Sequence, residues 1–419
     1  MKFVAAVCVL SLGAAACGDD DKADSPDTEE TTAETTAETT GGTTAETVAE
    51  VSGDPIKVMS IAPVDTDKSS YEYIFDGAKI YEEYINDRGG IGGRPLEVIT
   101  CDSKGDPNEA AACAREAVDE GVVAVLGHFE FDMSVAVPIL EDAGIPMLGG
   151  CCPVNPAEFK SPVNFIFGST NAMQHAATYI MKEDECENPA FVYLDPYREY
   201  LTGLAQQSFA FYGVYADNAK FVSVPAVPGD FSAQAAEASD GTDCVWLSMS
   251  AAGMGAFVAG LQTVGADVRV YGAQGNFTTE LADAYPDLLE GGVVLNAYPN
   301  LVDPVWDEYR AAIDEYNPDA LAKANSLAGL GVWAAYVAFH DIAEMIEGDV
   351  TAESFLETAR QQDAFQTMWG PTIDLSVEAG PMPGFPRVLN LTVTFDRVTN
   401  GELTPTGEFA DMTDAVQPA

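Results

Sequence analysis

From Ile56 onward the chain alternates short, apolar, β-branched runs with amphipathic stretches of helical spacing, and it does so in two successive series. The first series reads IKVMSIA (56–62), a helix over 71–86, LEVIT (96–100), a helix over 108–120, VVAVLG (122–127), a helix over 134–143 and IPML (145–148). Within the first helix, Ile74, Ala78, Tyr81 and Ile85 recur on one face. The second series begins near residue 189: AFVYL, helix 200–212, KFVSVPAV, helix 231–239, CVWLSM, helix 251–263, VRVYGA, helix 278–285 and GVVLNAY. Near-continuous apolar strands between helices predict parallel sheets covered on both faces. Two series predict an α/β protein of two doubly wound lobes, for which 419 residues are ample.

Three further helices (302–315, 320–346, 351–362) and a late β segment (388–397, then an Asn400-Gly401 turn) are shared between the lobes. The expected division is 55–172 plus about 300–375 for the first lobe, and 173–299 plus about 376–419 for the second. A chain that crosses between lobes more than once makes a multi-strand hinge. Ligands of open α/β sheets sit beyond the carboxyl ends of the strands, so the cleft between lobes is the expected site.

The start of the chain is of a different kind. Residues 1–17, MKFVAAVCVLSLGAAAC, place Lys2 before an apolar run from Phe3 to Ala16, the layout of a secretory signal peptide and too short for a membrane span. Ala14-Ala15-Ala16 before Cys17 resembles a bacterial lipobox, in which Cys17 becomes the lipid-bearing N-terminus. From 18 to 54 the chain is mostly Asp, Glu, Thr, Ala and Gly, with TTAE at 31–34, 35–38 and 43–46. Nothing there repays the entropy of ordering, so an extended acidic tether from a membrane surface is expected.

The formal charge of −48 excludes nucleic acid as a partner, because such a surface repels phosphate. Three histidines (His128, His175, His340) lie in no metal-ligand spacing, and no G-x-S-x-G elbow or P-loop occurs. Neither a metal, a cofactor nor catalysis is expected. Gly89–Gly93 follows a helix and reads as a connecting turn. His128 at a strand end reads as structural and Trp246 as core. The helix over 320–346 is interrupted by Asp341 and Glu344 and reads as core packing.

Without Cys8 and Cys17, six cysteines remain. An even number in an exported chain favours disulfides. Cys101 ends a strand and Cys113 lies on the next helix; Cys186 and Cys244 each precede a strand and meet at one sheet end. Adjacent Cys151-Cys152 form a vicinal bridge or stay reduced.

The segments Asn86–Leu96 (NDRGGIGGRPL), Asp106-Pro107, Val122–Gly127 with His128, Glu141–Pro146 and Gly229–Ser232 resemble, in order and spacing, the type I periplasmic binding proteins of the branched-chain amino acid transporter class. The resemblance spans residues 55–419. It implies a monomeric, non-enzymatic receptor that closes its two lobes around a small solute and delivers it to the permease subunits of an ABC importer. It implies ligand contacts at Phe131, Asp132 or Ser134 in the loop after the third strand, at Cys152 and Asn155 in the next turn, and at Tyr200, Ser250 and Gln274 in the second lobe; Tyr71, at the cleft-side start of the first helix, either stacks on the ligand or serves as a buried anchor. Gln274 falls where such proteins carry the acid that pairs with the ligand ammonium, and an amide offers only a dipole there. The expected solute is an amino acid, an amide or a small organic acid, and the departure at Gln274 turns the expectation toward a neutral amide, an aromatic or short organic acid, or a cation seated at Asp132. A sensory receptor of the same fold is the alternative, and an exported enzyme a more distant one.

Overall fold

The computed structural model describes residues 51–417, apart from 65, 67–69, 131, 151–154 and 169. The expected signal peptide, Cys17, the tether up to residue 50, Phe131 and Cys151-Cys152 lie outside the described residues. Ser52 N–H donates to Gly93 O (2.8 Å) and Arg94 Nε to Asp54 O (2.9 Å), so the chain is already joined to the folded body at residue 52.

The first part runs β1 (Ile56–Ala62), α1 (Glu72–Asn86), β2 (Leu96–Asp102), α2 (Pro107–Glu120), β3 (Ala124–Leu126), α3 (Ala136–Asp142), β4 (Met147–Leu148), α4 (Pro156–Lys160) and β5 (Asn164–Phe165). Its sheet is wholly parallel, in the order β2-β1-β3-β4-β5. The second part runs α5 (Thr170–Glu183), β6 (Pro189–Leu194), α6 (Arg198–Tyr212), β7 (Lys220–Val224), α7 (Ser232–Ser239), β8 (Cys244–Ser248), α8 (Ala251–Val264), β9 (Arg269–Ala273), α9 (Thr279–Ala284), α10 (Pro286–Leu289) and β10 (Val293–Asn296). There β7-β6-β8-β9-β10 repeats the same strand order. Both sheets thus reverse direction of strand addition next to their first strand, the crevice where doubly wound folds bind ligands.

The remainder comprises α11 (Asp307–Tyr316), α12 (Leu321–Ala324), α13 (Leu327–Ala343), α14 (Ala352–Ala359), a short hairpin of β11 (Phe365–Gln366) and β12 (Thr372–Ile373), and β13 (Thr392–Thr399) with β14 (Glu402–Asp411). Helices α11 and α13 pack on α1, whereas β13 and β14 join the second sheet antiparallel beside β10. The chain therefore passes between the two sheets three times: after β5, after β10 and before β13. The expected turn is present, with Asn400 at φ 54° and Gly401 at φ 80°. Positive φ at both central residues suits the twist of a two-residue hairpin.

The single helix expected over 320–346 is broken. Asn325 leaves helical geometry, its Oδ1 accepts from Leu301 N–H (2.8 Å), and Ser326 Oγ caps α13 by accepting from Gly329 N–H (3.0 Å). Among the described residues no single helix is long and apolar enough to cross a membrane, and α12 and α13 meet at a bend of 111°. Helix α13 is instead the core of the first lobe. Trp333 is fully buried, stacked on Tyr309 (4.6 Å) and edge-on to Tyr81 (5.0 Å). Truncating such a side chain costs about 3–5 kcal/mol.

The expected bridges Cys101–Cys113 and Cys186–Cys244 both form, with Cα atoms 5.7 and 6.2 Å apart. Beside the second, Asp243 accepts from the N–H groups of Glu187 (2.7 Å) and Asn188 (2.8 Å), fixing the turn that carries Cys186 into β6.

Candidate functional site

At the carboxyl end of β1 the chain leaves the sheet, and Tyr71 N–H donates to Pro63 O (2.9 Å), bringing Tyr71 back over the strand ends at the start of α1. Its half-buried ring lies 4.2 Å from that of Phe129, which follows β3. The two rings form an aromatic wall on the first lobe. Next to it Ser103 donates to the buried carboxylate of Glu130, joining the ends of β2 and β3. Asp132 Oδ1 accepts from Ser134 N–H (2.9 Å), an Asx turn that shapes the loop; Ser134 itself is exposed. His128 is buried with its ring against Gly150, and its Nδ1 has no hydrogen-bond partner. Burial disfavours the imidazolium and lowers its pKa to about 4.

Asn155 closes the next turn. Its Oδ1 accepts from Ala157 N–H (3.0 Å) and Glu158 N–H (3.3 Å), and its Nδ2 donates to Glu158 (2.7 Å), so the side chain is the N-cap of α4. On the second lobe Ser250 does the same for α8 through Gly253 N–H (3.3 Å). Tyr200 lies two residues into α6, just beyond the end of β6. It is 44 % exposed, and its hydroxyl donates to Asn171 Oδ1 at 2.9 Å. Tyr197, one turn earlier, is 41 % exposed.

Gln274 follows β9 and is 5 % exposed. Its Nε2 donates to Tyr298 O (3.0 Å) and its Oε1 accepts from Tyr298 N–H (3.3 Å). The amide thus ties the end of β9 to the chain leaving β10. The adjacent Gly275, at φ 77°, abuts Ser326 before α13: a Cβ there would lie 2.8 Å from Ser326 Cβ.

Tyr71 with the Asp132–Ser134 loop on one sheet, and Tyr200, Ser250 and Gln274 on the other, therefore all stand at carboxyl strand ends. The sequence places Phe129, which pairs with Tyr71, in the loop after the third strand without marking it as a contact, and gives no sign of Asn171, which holds Tyr200. Phe129 was legible from its place immediately after β3. Asn171 was not, because α5 itself went unnoticed despite apolar residues at 172, 173, 176, 177, 180 and 181.

Two doubly wound sheets, three crossings and polar and aromatic side chains at both sets of carboxyl ends define a two-lobed ligand-binding fold. The profile of the Periplasmic binding protein family matches residues 56–381, and the chain belongs to that family. It is 26 % identical over 330 residues to the leucine-, isoleucine-, valine-, threonine- and alanine-binding protein of Pseudomonas aeruginosa, covering 76 % of this chain and 86 % of that one. Among solved structures it is similar to a fatty acid ABC transporter substrate-binding protein from Thermomonospora curvata (TM-score 0.70, 17 % identity, 87 % of this chain and 95 % of that one). A leucine-binding protein from Thermotoga maritima gives a TM-score of 0.66 at 19 % identity, over 86 % and 99 % of the two chains.

Proposed function

We propose that this protein is an extracytoplasmic solute receptor that captures a small molecule between its two lobes and delivers it to an ABC importer, without catalysis. Family membership supports the class, and the named relatives bind amino acids or a fatty acid. Cys17 carries a lipid in this reading, and the acidic segment after it lifts the lobes from the membrane. The lobes close on the solute about the three crossings, which excludes water and strengthens each polar contact.

The observation that carries the solute class is the Gln274–Tyr298 clasp. Both functional ends of the amide are taken up by backbone, so this position supplies no charge for an ammonium. A desolvated ammonium without a counter-charge is unfavourable. With Tyr71 and Phe129 forming one wall and Tyr200 the other, the cleft suits a solute with an apolar or aromatic body and no α-ammonium, held at its acid or amide end. Leucine and 4-methylpentanoate, which differ by that ammonium, provide the test in calorimetric titration. Preferential binding of 4-methylpentanoate supports the reading. Tight leucine binding lost in Gln274→Ala overturns it.

A further inference from the structure

The third passage between the sheets is made by a strap, residues 376–391, most of which lies past the end of the family match at residue 381. Its sequence, SVEAGPMPGFPRVLNL, holds three prolines and two glycines, and it folds on itself. Gly380 N–H donates to Pro386 O (2.6 Å), and the N–H groups of Phe385 and Val388 donate to Met382 O and Phe385 O (3.0 Å each). Arg387 fastens it to the first lobe, its N–H donating to Phe159 O (3.1 Å) and its Nε to Asn164 O (2.7 Å), while its Nη1 donates to Val377 O (2.7 Å) within the strap. Val388 pairs with Ile166 beside β5. Gln417 Nε2 donates to Pro381 O (2.7 Å), which ties down the other side of the loop.

The loop holds one aromatic side chain, Phe385. Its ring lies 4.4 Å from Phe159 of α4 in the first lobe and 6.1 Å from Tyr200 of α6 in the second. Phe385 is 8 % exposed, so both faces are covered. Ring pairs at these separations are favourable and orientation-dependent. The Tyr200 hydroxyl is fixed separately by Asn171, on the first turn of α5 just after the first crossing. Tyr200 is therefore held at both ends by groups on crossing segments, ring by Phe385 and hydroxyl by Asn171, while much of it stays open to solvent.

We propose that Phe385 is a positioning residue for the solute cleft: the strap holds it between the lobes, where it orients Tyr200 toward the solute and sets how the second lobe approaches the first. This rests on Tyr200 being a solute contact, as proposed above. The strap is stiff because proline fixes φ and its loop is closed by backbone bonds. A stiff spacer orders the contact before solute arrives, which lowers the entropic cost of binding.

The experiment uses the mature protein labelled with 3-fluorotyrosine, the Tyr200 fluorine signal being assigned with Tyr200→Phe. Phe385→Leu keeps an apolar side chain to limit unfolding, and Phe385→Tyr keeps the ring. In solute-free protein, Phe385→Leu is expected to shift and sharpen the Tyr200 signal, and Phe385→Tyr to leave it near its original place. Titration with 4-methylpentanoate and with leucine follows; whichever binds the unaltered protein is expected to bind Phe385→Leu at least 10-fold more weakly, chiefly through faster dissociation. An unchanged Tyr200 signal in a folded Phe385→Leu protein overturns the proposal whatever the affinities. A moved signal with unchanged affinity overturns the coupling to solute. If neither compound binds the unaltered protein, the proposed solute class fails, while the fluorine signal still decides whether Phe385 positions Tyr200.

Discussion

Gln274 and Tyr298 hold each other through two hydrogen bonds, Nε2 to the Tyr298 carbonyl at 3.0 Å and the Tyr298 N–H to Oε1 at 3.3 Å. The pair closes the end of β9 onto the chain leaving β10, where an unpaired backbone group would be buried. Gln274→Glu keeps the acceptor but sets a carboxylate against the Tyr298 carbonyl. A lost donor together with a buried charge is expected to cost about 2–4 kcal/mol at pH 7 in urea unfolding. The sign of the pH dependence follows. The fold raises the pKa of the new carboxyl, so the deficit should shrink as the pH falls and the protonated acid can donate in place of Nε2. Equal stability of both proteins at pH 7 would show the clasp to be dispensable.

The two bridges differ in the length of chain they close, 58 residues for Cys186–Cys244 and 12 for Cys101–Cys113. On the loop-entropy account the first contributes about 4 kcal/mol and the second about 3 kcal/mol. Cys186→Ala with Cys244→Ala should therefore lower the unfolding midpoint more than Cys101→Ala with Cys113→Ala. The difference should exceed the entropic one, because the turn 186–188 also loses its alignment on Asp243. The reverse order in a thermal melt would point to native-state strain rather than chain entropy.

The alternation that opens at Ile56 carried most of the fold, since buried parallel strands must be apolar throughout and their helices amphipathic. What escaped was short or locally decided. Strand β5 has two residues, and α4 exists because Asn155 caps it. The break at Asn325-Ser326 lies in an otherwise helical pattern and depends on Leu301, distant in sequence, whose N–H donates to the Asn325 side-chain Oδ1. Strand β14 is largely exposed and polar, without the apolar alternation that marks a half-buried strand. In the site, sequence located the carboxyl-end loops, because topology alone puts them there. Asn155-Pro156-Ala157-Glu158 carries a helix-start signature that marks Asn155 as a cap rather than a free ligand group, whereas no residue pattern could show that Tyr298 takes both ends of Gln274 through its backbone.

His128 and His175 are both buried, and burial lowers the pKa of each to about 4. His175 sits between α5 and α6 with Nδ1 bonded to Ser208 Oγ. In the unfolded chain a histidine titrates near 6.5, so between the two values the unfolded state binds more protons. The stability from keeping these rings neutral is thus complete above about pH 6.5 and is lost as the pH falls toward 4, by roughly 3 kcal/mol for each ring at most. His175→Gln should flatten that slope relative to the unaltered protein in thermal melts between pH 7 and pH 5. An unchanged slope in both His175→Gln and His128→Gln would assign the acid response to carboxylates.

The charge of −48 bears on stability as well as on partners. The expected tether, residues 18–54, holds twelve of the 67 acids, so most of the negative charge belongs to the folded part. Among the described residues few of those acids are paired, and the pairs that form are mostly exposed, such as Lys57–Glu120 and Lys182–Glu183. Exposed pairs contribute little, whereas like charges spread over a compact surface repel over distances that salt controls. At about 0.01 M salt the screening length is about 30 Å, and at 1 M it is about 3 Å. Raising sodium chloride from about 0.01 M to 1 M is therefore expected to raise the melting temperature by several degrees, most steeply at the low end where screening changes fastest. Removing residues 18–50 should leave that dependence largely intact, because the repulsion that opposes folding lies within the lobes. Loss of the salt response on truncation would place its origin in the tether instead.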